Sequence, residues 1–276
     1  MRTVFKILAS AAAVLTAACF LSGCSEKDSL TGIETAVKHF PANELQSVCV
    51  KAHWLNVKLA ADADKAGTVE YTIPDDVKLT VDFADGVLRV EESTPFKVIL
   101  RHNGTYGVTV WLDPEQILST LEVEMRAGDL SVCDVNLTGN ANLALSSGEL
   151  RLQASSFDAL NASTSSGDVE ISDTTCTSAV VLTSSSGDVG VTRLSAASVR
   201  CETSSGEIDF DGLAADTIEL KSSSGDIEGT LSGKPQDYTA KTSTSSGSVH
   251  ISGDASGGEK QLTVKTSSGD IAIDFE

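Results

Sequence analysis

Thr164-Ser165-Ser166-Gly167-Asp168-Val169 contains a Gly-acid-aliphatic triplet that returns through the second half of the chain. An eighth copy, Gly247-Ser248-Val249, keeps the glycine and the aliphatic residue but has lost the acid. Successive glycines are 20, 19, 20, 19, 19, 22 and 22 residues apart, and Ser-Ser precedes most of them. Self-similarity at a fixed period indicates a stacked repeat architecture. The acidic copies are Gly128-Asp129-Leu130, Gly148-Glu149-Leu150, Gly167-Asp168-Val169, Gly187-Asp188-Val189, Gly206-Glu207-Ile208, Gly225-Asp226-Ile227 and Gly269-Asp270-Ile271.

Aliphatic residues alternate with other residues on both sides of each copy. Val169 and Ile171 follow one glycine, and Val180 and Leu182 precede the next Ser-Ser-Gly. A period of two is typical of a half-buried strand, and helical periodicity is absent. A less regular bend connects the two strands of each repeat. The residues expected to point inward at the bends are Leu137, Phe157, Cys176, Leu194 and Leu213.

A repeat of about 20 residues cannot bury its own apolar face, whereas stacked repeats can pair equivalent strands in parallel. The sequence therefore predicts an all-β fold, a right-handed parallel β-solenoid that resembles a β-helix. Its eight motif copies predict about eight coils of ~20 residues, one coil following another along the chain. A β-sandwich of hairpins is the alternative, but tight Asn-Gly and Asp-Gly turns are rare here.

The patterning divides the chain into four segments. Residues 1–23 form an export signal and residues 24–35 a polar tether. Residues 36–126 are strand-like but not repetitive, and we expect irregular coils or a small β-layer there. Such an N-terminal β cap would cover an edge that otherwise invites aggregation. Residues 127–276 form the Ser-Ser-Gly-Asp solenoid.

The N-terminus has the features of an export signal. Arg2 and Lys6 precede an apolar run that is short for a membrane span, and small residues follow it. Leu21-Ser22-Gly23-Cys24 resembles the bacterial lipobox, which implies a diacylglycerol on the Cys24 sulfur and cleavage before Cys24. By that resemblance the protein is a cell-envelope lipoprotein, anchored on the extracytoplasmic side of a membrane by acyl chains such as palmitate. An ordinary signal peptide with an incidental cysteine, or an uncleaved anchor, is the alternative.

The charge is strongly negative. The 39 acidic and 20 basic residues give a formal charge of −19, and loss of residues 1–23 removes two basic residues, which leaves −21. We therefore expect no nucleic-acid partner, because a polyanion would be repelled. An anionic membrane would not hold this surface either. The acyl chains on Cys24 would provide the anchoring, at about 0.8 kcal/mol per buried methylene.

The acids of the repeat would stand above one another, one coil apart. A structural interpretation is that they bond to the backbone of a turn, while small hydroxyl side chains stack inside the coil. Glycine would supply positive φ at the same corner. The alternative is a row of carboxylates that binds Ca²⁺, although the dense glycine and aspartate spacing of calcium-binding β-rolls is absent. The acids concerned are Asp129, Glu149, Asp168, Asp188, Glu207, Asp226 and Asp270.

Catalytic and metal motifs are missing from the sequence. The four histidines His39, His53, His102 and His250 are scattered, and we expect no metal site, no cofactor and no enzymatic activity. A polysaccharide-active β-helix enzyme is disfavoured, because Arg151, Arg193 and Arg200 are isolated and aromatic residues are few. Cys49, Cys133, Cys176 and Cys201 lack metal-ligand spacing. Buried free thiols are favoured for them over disulfides, which remain an alternative outside the cytoplasm.

Early strands, then Gly107-Val108-Thr109-Val110-Trp111-Leu112-Asp113-Pro114, then iterated Ser-Ser-Gly-Asp resemble the DUF4097 family of bacterial envelope proteins, whose label is "putative adhesin". The resemblance covers roughly residues 40–276 and implies a β-solenoid with a surface role and no catalytic residues. The expected function is that of a non-catalytic, lipid-anchored adhesin or envelope interaction module whose partner is an envelope or host surface protein or a glycan. The alternative is an envelope-stress scaffold or sensor that binds membrane proteins or cationic molecules.

Overall fold

The structure, a computed structural model, describes residues 32–93 and 106–276 in full and residues 23–28 as backbone alone. The predicted signal segment up to residue 22 lies outside the described residues, as does His102. Two sheets enclose one continuous hydrophobic core. Sheet A has 16 strands and sheet B has 11. A coil is a strand of sheet B, a corner, and the strand of sheet A that follows it. The all-β solenoid with parallel stacking is confirmed.

The strands of sheet B follow one another in space in an order that differs from chain order at both ends. In spatial order they are β24 (Tyr238–Ser243), β26 (Lys260–Lys265), β22 (Thr217–Ser222), β20 (Ser198–Thr203), β18 (Ala179–Thr183), β16 (Ala159–Ser166), β13 (Asn140–Ser147), β10 (Thr120–Met125), β3 (Ser47–Ala52), β7 (Val87–Glu92) and β6 (Leu79–Ala84).

Sheet A runs in the opposite direction along the list, from the N-terminal end. Its main path is β1 (Gly23–Asp28), β2 (Ile33–His39), β5 (Thr68–Pro74), β8 (Gly107–Leu112), β4 (Asn56–Ala61), β11 (Leu130–Cys133), β14 (Leu150–Gln153), β17 (Val169–Cys176), β19 (Val189–Ser195), β21 (Ile208–Leu213), β23 (Ile227–Leu231), β27 (Ile271–Phe275) and β25 (Val249–Ile251). Short strands β9 (Ile117–Leu118), β12 (Asn136–Leu137) and β15 (Ser156–Phe157) line a third side, and single 3₁₀ turns occur at Ala42–Glu44 and Pro235–Asp237.

The repeat places its side chains as the alternation predicts. The aliphatic residue after each corner faces the core, from Leu130 in β11 to Ile271 in β27, and pairs with its equivalent in the next coil. All five residues predicted to point inward at the bends are buried. The bends share a left-handed backbone position. Its occupants in five successive coils are Asp134, Ala154, Asp173, Arg193 and Gly212.

The expectation that each coil follows the previous one is wrong at both ends. The C-terminal coil β26–β27 lies between the coils β22–β23 and β24–β25. At the other end, β3–β4 lies between β7–β8 and β10–β11. Equivalent coils have nearly the same sequence pattern, so the pattern cannot specify which of two neighbours is closer to the end.

Residues 36–126 contain more of the solenoid than a cap. Coils β3–β4 and β7–β8 are full members of the parallel stack, which raises its length to ten coils. Beyond them β6 pairs antiparallel with β7, and β5 pairs antiparallel with β8, so the stack ends there in strands of reversed direction. The range 24–35, expected to be a tether, contains most of β1 and the start of β2, which pair with each other.

The corners bring backbone against backbone. A Cβ added to Gly187 would lie 2.0 Å from the carbonyl oxygen of Gly167, and one added to Gly206 would lie 2.1 Å from that of Gly187. Neither glycine has a positive φ, so the predicted reason for glycine applies only to some copies, such as Gly128 and Gly148. The general reason is that no side-chain atom fits between successive corners.

Replacing Gly187 by alanine should therefore destabilise the whole stack. We expect Gly187→Ala to lower the free energy of unfolding by about 3 kcal/mol or more, at the upper end for overpacking because backbone atoms cannot rotate away. Gly257 is the matched control, since an added Cβ meets no atom within 4 Å there. Gly257→Ala should change stability by less than about 0.5 kcal/mol in the same urea titration. Equal effects of the two substitutions would contradict the close-contact explanation.

Candidate functional site

The corner acids form one row along the solenoid, and most of them bond to the next coil. Oδ1 of Asp168 accepts a hydrogen bond of 2.9 Å from the backbone N–H of Asp188, and Oδ1 of Asp188 accepts one of 2.9 Å from Glu207. The same bond recurs from Asp270 N–H to Asp226. Each aspartate thus satisfies a donor that the turning backbone leaves outside the regular ladder. These contacts favour the structural interpretation of the row.

The two ends of the row are adapted to their neighbours. Asn56 takes the place of an acid in coil β3–β4, and its Oδ1 accepts from the N–H of Asp129 at 2.9 Å. At the opposite end Ser248 donates both its N–H and its Oγ–H to Asp270 Oδ1. Those bonds hold the pKa of Asp270 below its ordinary value. Glu149 contacts Arg151, a different use of the longer side chain.

A hydroxyl residue three positions before the glycine points into the corner. Its oxygen donates to the carbonyl of the glycine one coil away, as from Thr203 to Gly187 at 3.2 Å and from Ser222 to Gly206 at 3.0 Å. The predicted stacking of hydroxyl on hydroxyl is therefore replaced here by bonds from hydroxyl to glycine carbonyl. The bonded residues are Ser184, Thr203, Ser222, Thr244 and Thr266.

An acidic groove of about 430 Å³ lies on the outer face of sheet A. Gly190, Asp209, Glu228 and Ala272 stand side by side in one row across four strands. The small residues at the two ends leave room, and the two carboxylates in the middle repel each other. Asp211 and Asp274 extend the acidic wall. We call this surface the acidic groove.

The electrostatics of the acidic groove show in its carboxylates. The neighbouring charges of Asp188 and Asp209 raise the pKa of Glu207. Partial burial, followed by the charges of Asp188 and Asp226, raises the pKa of Asp209. Groups with raised values gain stability when protonated, so this face is relieved at low pH and strained at neutral pH. A cation would relieve the same repulsion.

A second groove, of about 550 Å³, runs beside the corner on sheet B. Exposed serines such as Ser204 and Ser223 form one wall, and Glu202, Lys221 and Lys265 stand on the other. Lys221 pairs with both Glu202 and Glu219, and Arg200 bonds to the same two carboxylates. The three arginines expected to be isolated thus have acidic partners, with Arg151 against Glu170 and Arg193 against Asp173.

The remaining sequence candidates do not converge. Among the described residues, no group of three or more histidine, cysteine or acidic side chains could hold a metal ion. His39 and His53 are half-buried and His250 is exposed, and they lie on strands β2 and β25 and at the β3–β4 corner. No helix in the described ranges is long and apolar enough to span a membrane.

The four cysteines of the solenoid are free thiols. Cys176 and Cys201 are buried, and burial raises the pKa of each to about 12. Cys49 and Cys133 are only half-buried, in contrast to the expectation that all four are buried. Cys24 lies in β1 opposite Val37 of β2. Its side chain is outside the described residues.

Glu92 is a residue that sequence reasoning missed. It is 2% exposed, and its Oε2 accepts the backbone N–H groups of His53 and Trp54 at 2.8 and 3.1 Å. These amides lie at the β3–β4 corner, which lacks the Ser-Ser-Gly sequence. Glu92 therefore does for this corner what aspartates do elsewhere. No local pattern announces such a role, because the two segments are 38 or 39 residues apart.

The fold and the corner define a class, a parallel β-solenoid whose corners consist of stacked glycines and bonded acids. The chain belongs to the Toastrack DUF4097 family, whose pattern matches residues 50–274. No curated protein matches the chain.

Three solved structures are similar in fold. A "putative adhesin" from Bacteroides fragilis NCTC 9343 is 16% identical with a TM-score of 0.54, over 87% of this chain and 96% of that one. A "putative cell adhesion protein" from Clostridium sporogenes ATCC 15579 is 11% identical with a TM-score of 0.34, over 88% and 100%. A "putative adhesin" from Parabacteroides merdae ATCC 43184 is 13% identical with a TM-score of 0.34, over 88% and 96%. The likeness to the first supports the fold alone.

The role of the acid row can be tested at Asp188. Asp188→Ala removes the acceptor for the Glu207 N–H, so we expect a lower unfolding midpoint, with a smaller loss than for Gly187→Ala. Asp188→Asn keeps an oxygen at the same place and should lose less than half as much. Thermal unfolding measures both.

The same measurement with EDTA and with millimolar Ca²⁺ distinguishes the calcium alternative. We expect no difference between the two conditions. A bound ion would raise the midpoint with its concentration. A rise of many degrees that is lost when Asp168, Asp188 and Asp226 are changed to Asn would make the row a metal site.

Proposed function

We propose that this protein is a lipid-anchored surface protein of the bacterial cell envelope that acts by adhesion and has no catalytic activity. Cys24 carries the acyl chains, and the solenoid extends from the membrane as a rigid rod. The observation that carries the proposal is the position of Cys24 on β1, the terminal strand of sheet A. The lipid would thus be attached at one end of the stack, and the coil β24–β25 would be at the other.

The dimensions suit a spacer. Ten coils at roughly 4.8 Å each give a rod of about 50 Å. Each coil buries its side chains against the next, so the rod has no obvious hinge. The names of the structural neighbours refer to adhesion, which agrees with a role at the surface.

The proposal that the protein is not an enzyme rests on its surface chemistry. The two grooves of the described residues contain carboxylates, lysines and hydroxyls but no histidine. Both cysteines with strongly raised pKa values are buried thiols, which disfavours nucleophilic chemistry at neutral pH.

A second candidate function is the binding of cationic molecules as an envelope-stress scaffold or sensor. The acidic groove supports it, because Asp209 and Glu228 stand side by side without a basic residue in the lining. A cationic peptide could lie along the strip of small residues and neutralise both walls.

Anchoring is tested by changing Cys24. Wild-type protein should incorporate a fatty-acid probe and partition into detergent, and Cys24→Ala should lose both properties because no sulfur remains for the diacylglycerol. Cys49→Ala is the matched control and should be labelled fully. Labelling of Cys24→Ala at the wild-type level would refute the lipoprotein proposal.

The cation-binding candidate is tested at the acidic groove. Asp209→Asn combined with Glu228→Gln should weaken binding of a fluorescent oligolysine several-fold at low salt, because two attractive charges are lost. Asp64→Asn combined with Glu115→Gln changes the net charge equally at a distant site and should have little effect. Equal weakening by the two pairs would show that only net charge matters and would exclude the groove as a site.

A further inference from the structure

The C-terminal end of the solenoid leaves part of its inward row uncovered. Val249 occupies the aliphatic position after the corner, where its seven counterparts from Leu130 to Ile271 are at most 1% exposed. Val249 itself is 44% exposed. β25 is the last strand of sheet A, so no further coil covers this side chain. The only other large apolar side chain of comparable exposure among the described residues is Ile117.

The backbone of β25 is also half satisfied. The N–H of Ile271 donates to the carbonyl of Ser248, and the N–H of Ser252 donates to the carbonyl of Ile273. Even-numbered residues therefore face β27, and in a parallel ladder the odd-numbered residues face the other way. The residues with N–H and C=O groups at this free edge are Gly247, Val249 and Ile251.

The other edges of the stack are closed. On sheet B the chain after β25 returns along β24, where Ser256 forms an antiparallel bridge with Thr239 and the N–H of Ala240 donates to Ala255. At the opposite end the antiparallel strands β1, β2, β5 and β6 finish the stack. The edge of β25 is thus an opening that the fold closes elsewhere.

Charge is absent where it would keep another strand away. Natural edge strands are commonly protected by charged residues. Residues 238–253 contain no acidic residue, in a chain that has 39 of them. Ser248 stands at the one corner that has lost its acid, and that corner is the last in space. An aspartate there would face its own copy across any contact made by this edge.

We propose that β25 pairs with β25 of a second copy of this chain, antiparallel and around a two-fold axis through Val249. The outward groups of Val249 bond to those of its counterpart, and Gly247 bonds opposite Ile251 on each side. Both exposed valines become covered. The opposite end offers no parallel edge, so the contact closes as a dimer and does not continue into a filament.

The arrangement deepens the proposed function and rests on it in one respect. With the lipid at the β1 end of each rod, contact between the two β25 ends places the lipids at opposite extremes. Such a dimer joins two separate membranes. The partner for adhesion is then the same protein on a facing cell.

Cross-linking tests the contact directly. Val249→Cys should form an intermolecular disulfide under mild oxidation, because residues facing each other across an antiparallel pair lie within about 5.5 Å. Ile117→Cys is the matched control, an equally accessible position on β9, and should not cross-link. Two cell populations that express differently tagged Val249→Cys protein should give mixed dimers after they are combined. Equal cross-linking of both variants, or none of Val249→Cys, would overturn the proposal.

Two further variants separate the edge from the fold. Val249→Pro removes an N–H that does not bond to β27, and proline is tolerated at such edge positions. Val249→Asp places like charges against each other. In sedimentation of the purified full protein in detergent, both should dimerise at least about tenfold more weakly than wild type, a change of about 1.4 kcal/mol. Ile117→Asp should dimerise normally. An unchanged dimer in the Val249 variants, or a wild type that stays monomeric, would refute the interface.

The outcome for anchoring is independent. Cys24→Ala protein should dimerise as strongly as wild type, since Cys24 is at the other end of the stack. Dimerisation with unlabelled wild-type protein would leave the interface standing and remove the lipid anchor. Labelled protein that never dimerises would do the reverse. Mixed dimers confined to copies from one cell population would disprove the joining of two membranes.

Discussion

The contact between corner glycines is the constraint on which the rest of the structure depends. A carbonyl oxygen of one coil occupies the space that a Cβ of the next would need. Because the corners lie so close, parallel strands can pair on both sheets, and the aliphatic residue of every coil meets its equivalent. The aspartate and the inward hydroxyl then bond the polar groups that the tight turn leaves over. The spacing of 19 or 20 residues in the middle of the chain is the length of chain needed to return to the same corner.

The middle of the fold was predictable because every coil there repeats one solution. Alternation around Gly167 and Gly187 gives both strands and their buried faces, and the constant spacing gives the stacking. The exchanged order of the end coils was not predictable, since Val249 and Ile271 belong to copies with the same pattern. The difference between them lies in contacts made across sequence distances of 22 and 44 residues. Coil β3–β4 escaped notice for another reason, because Asn56 and Glu92 do with other side chains what the Ser-Ser-Gly-Asp sequence does elsewhere.

The candidate surfaces could be predicted in part. The row of acids at the corner follows from the repeat, and so does its position on the outside. The acidic groove does not, because it depends on small residues at outward positions of neighbouring strands, such as Gly190 and Ala272 beside Asp209 and Glu228. A sequence pattern records which residues face out but gives no neighbour across the strands until the register is known. The exposure of Val249 depends likewise on the absence of a further coil, which no residue near it encodes.

The exchanged order at the C-terminal end also bears on how the chain folds during synthesis. Coil β24–β25 leaves the ribosome before β26–β27 but cannot dock on β23, because β27 takes that place. The stack can therefore grow from residue 120 to residue 231 as the chain emerges and must then wait for the last 17 residues of the chain, from Lys260 to Glu276. Until then the sheet ends at β22 and β23, whose acids Glu219, Asp226 and Glu228 face outward or line the corner. The edge without acid becomes part of the rod only in the final step, after the chain has been completed.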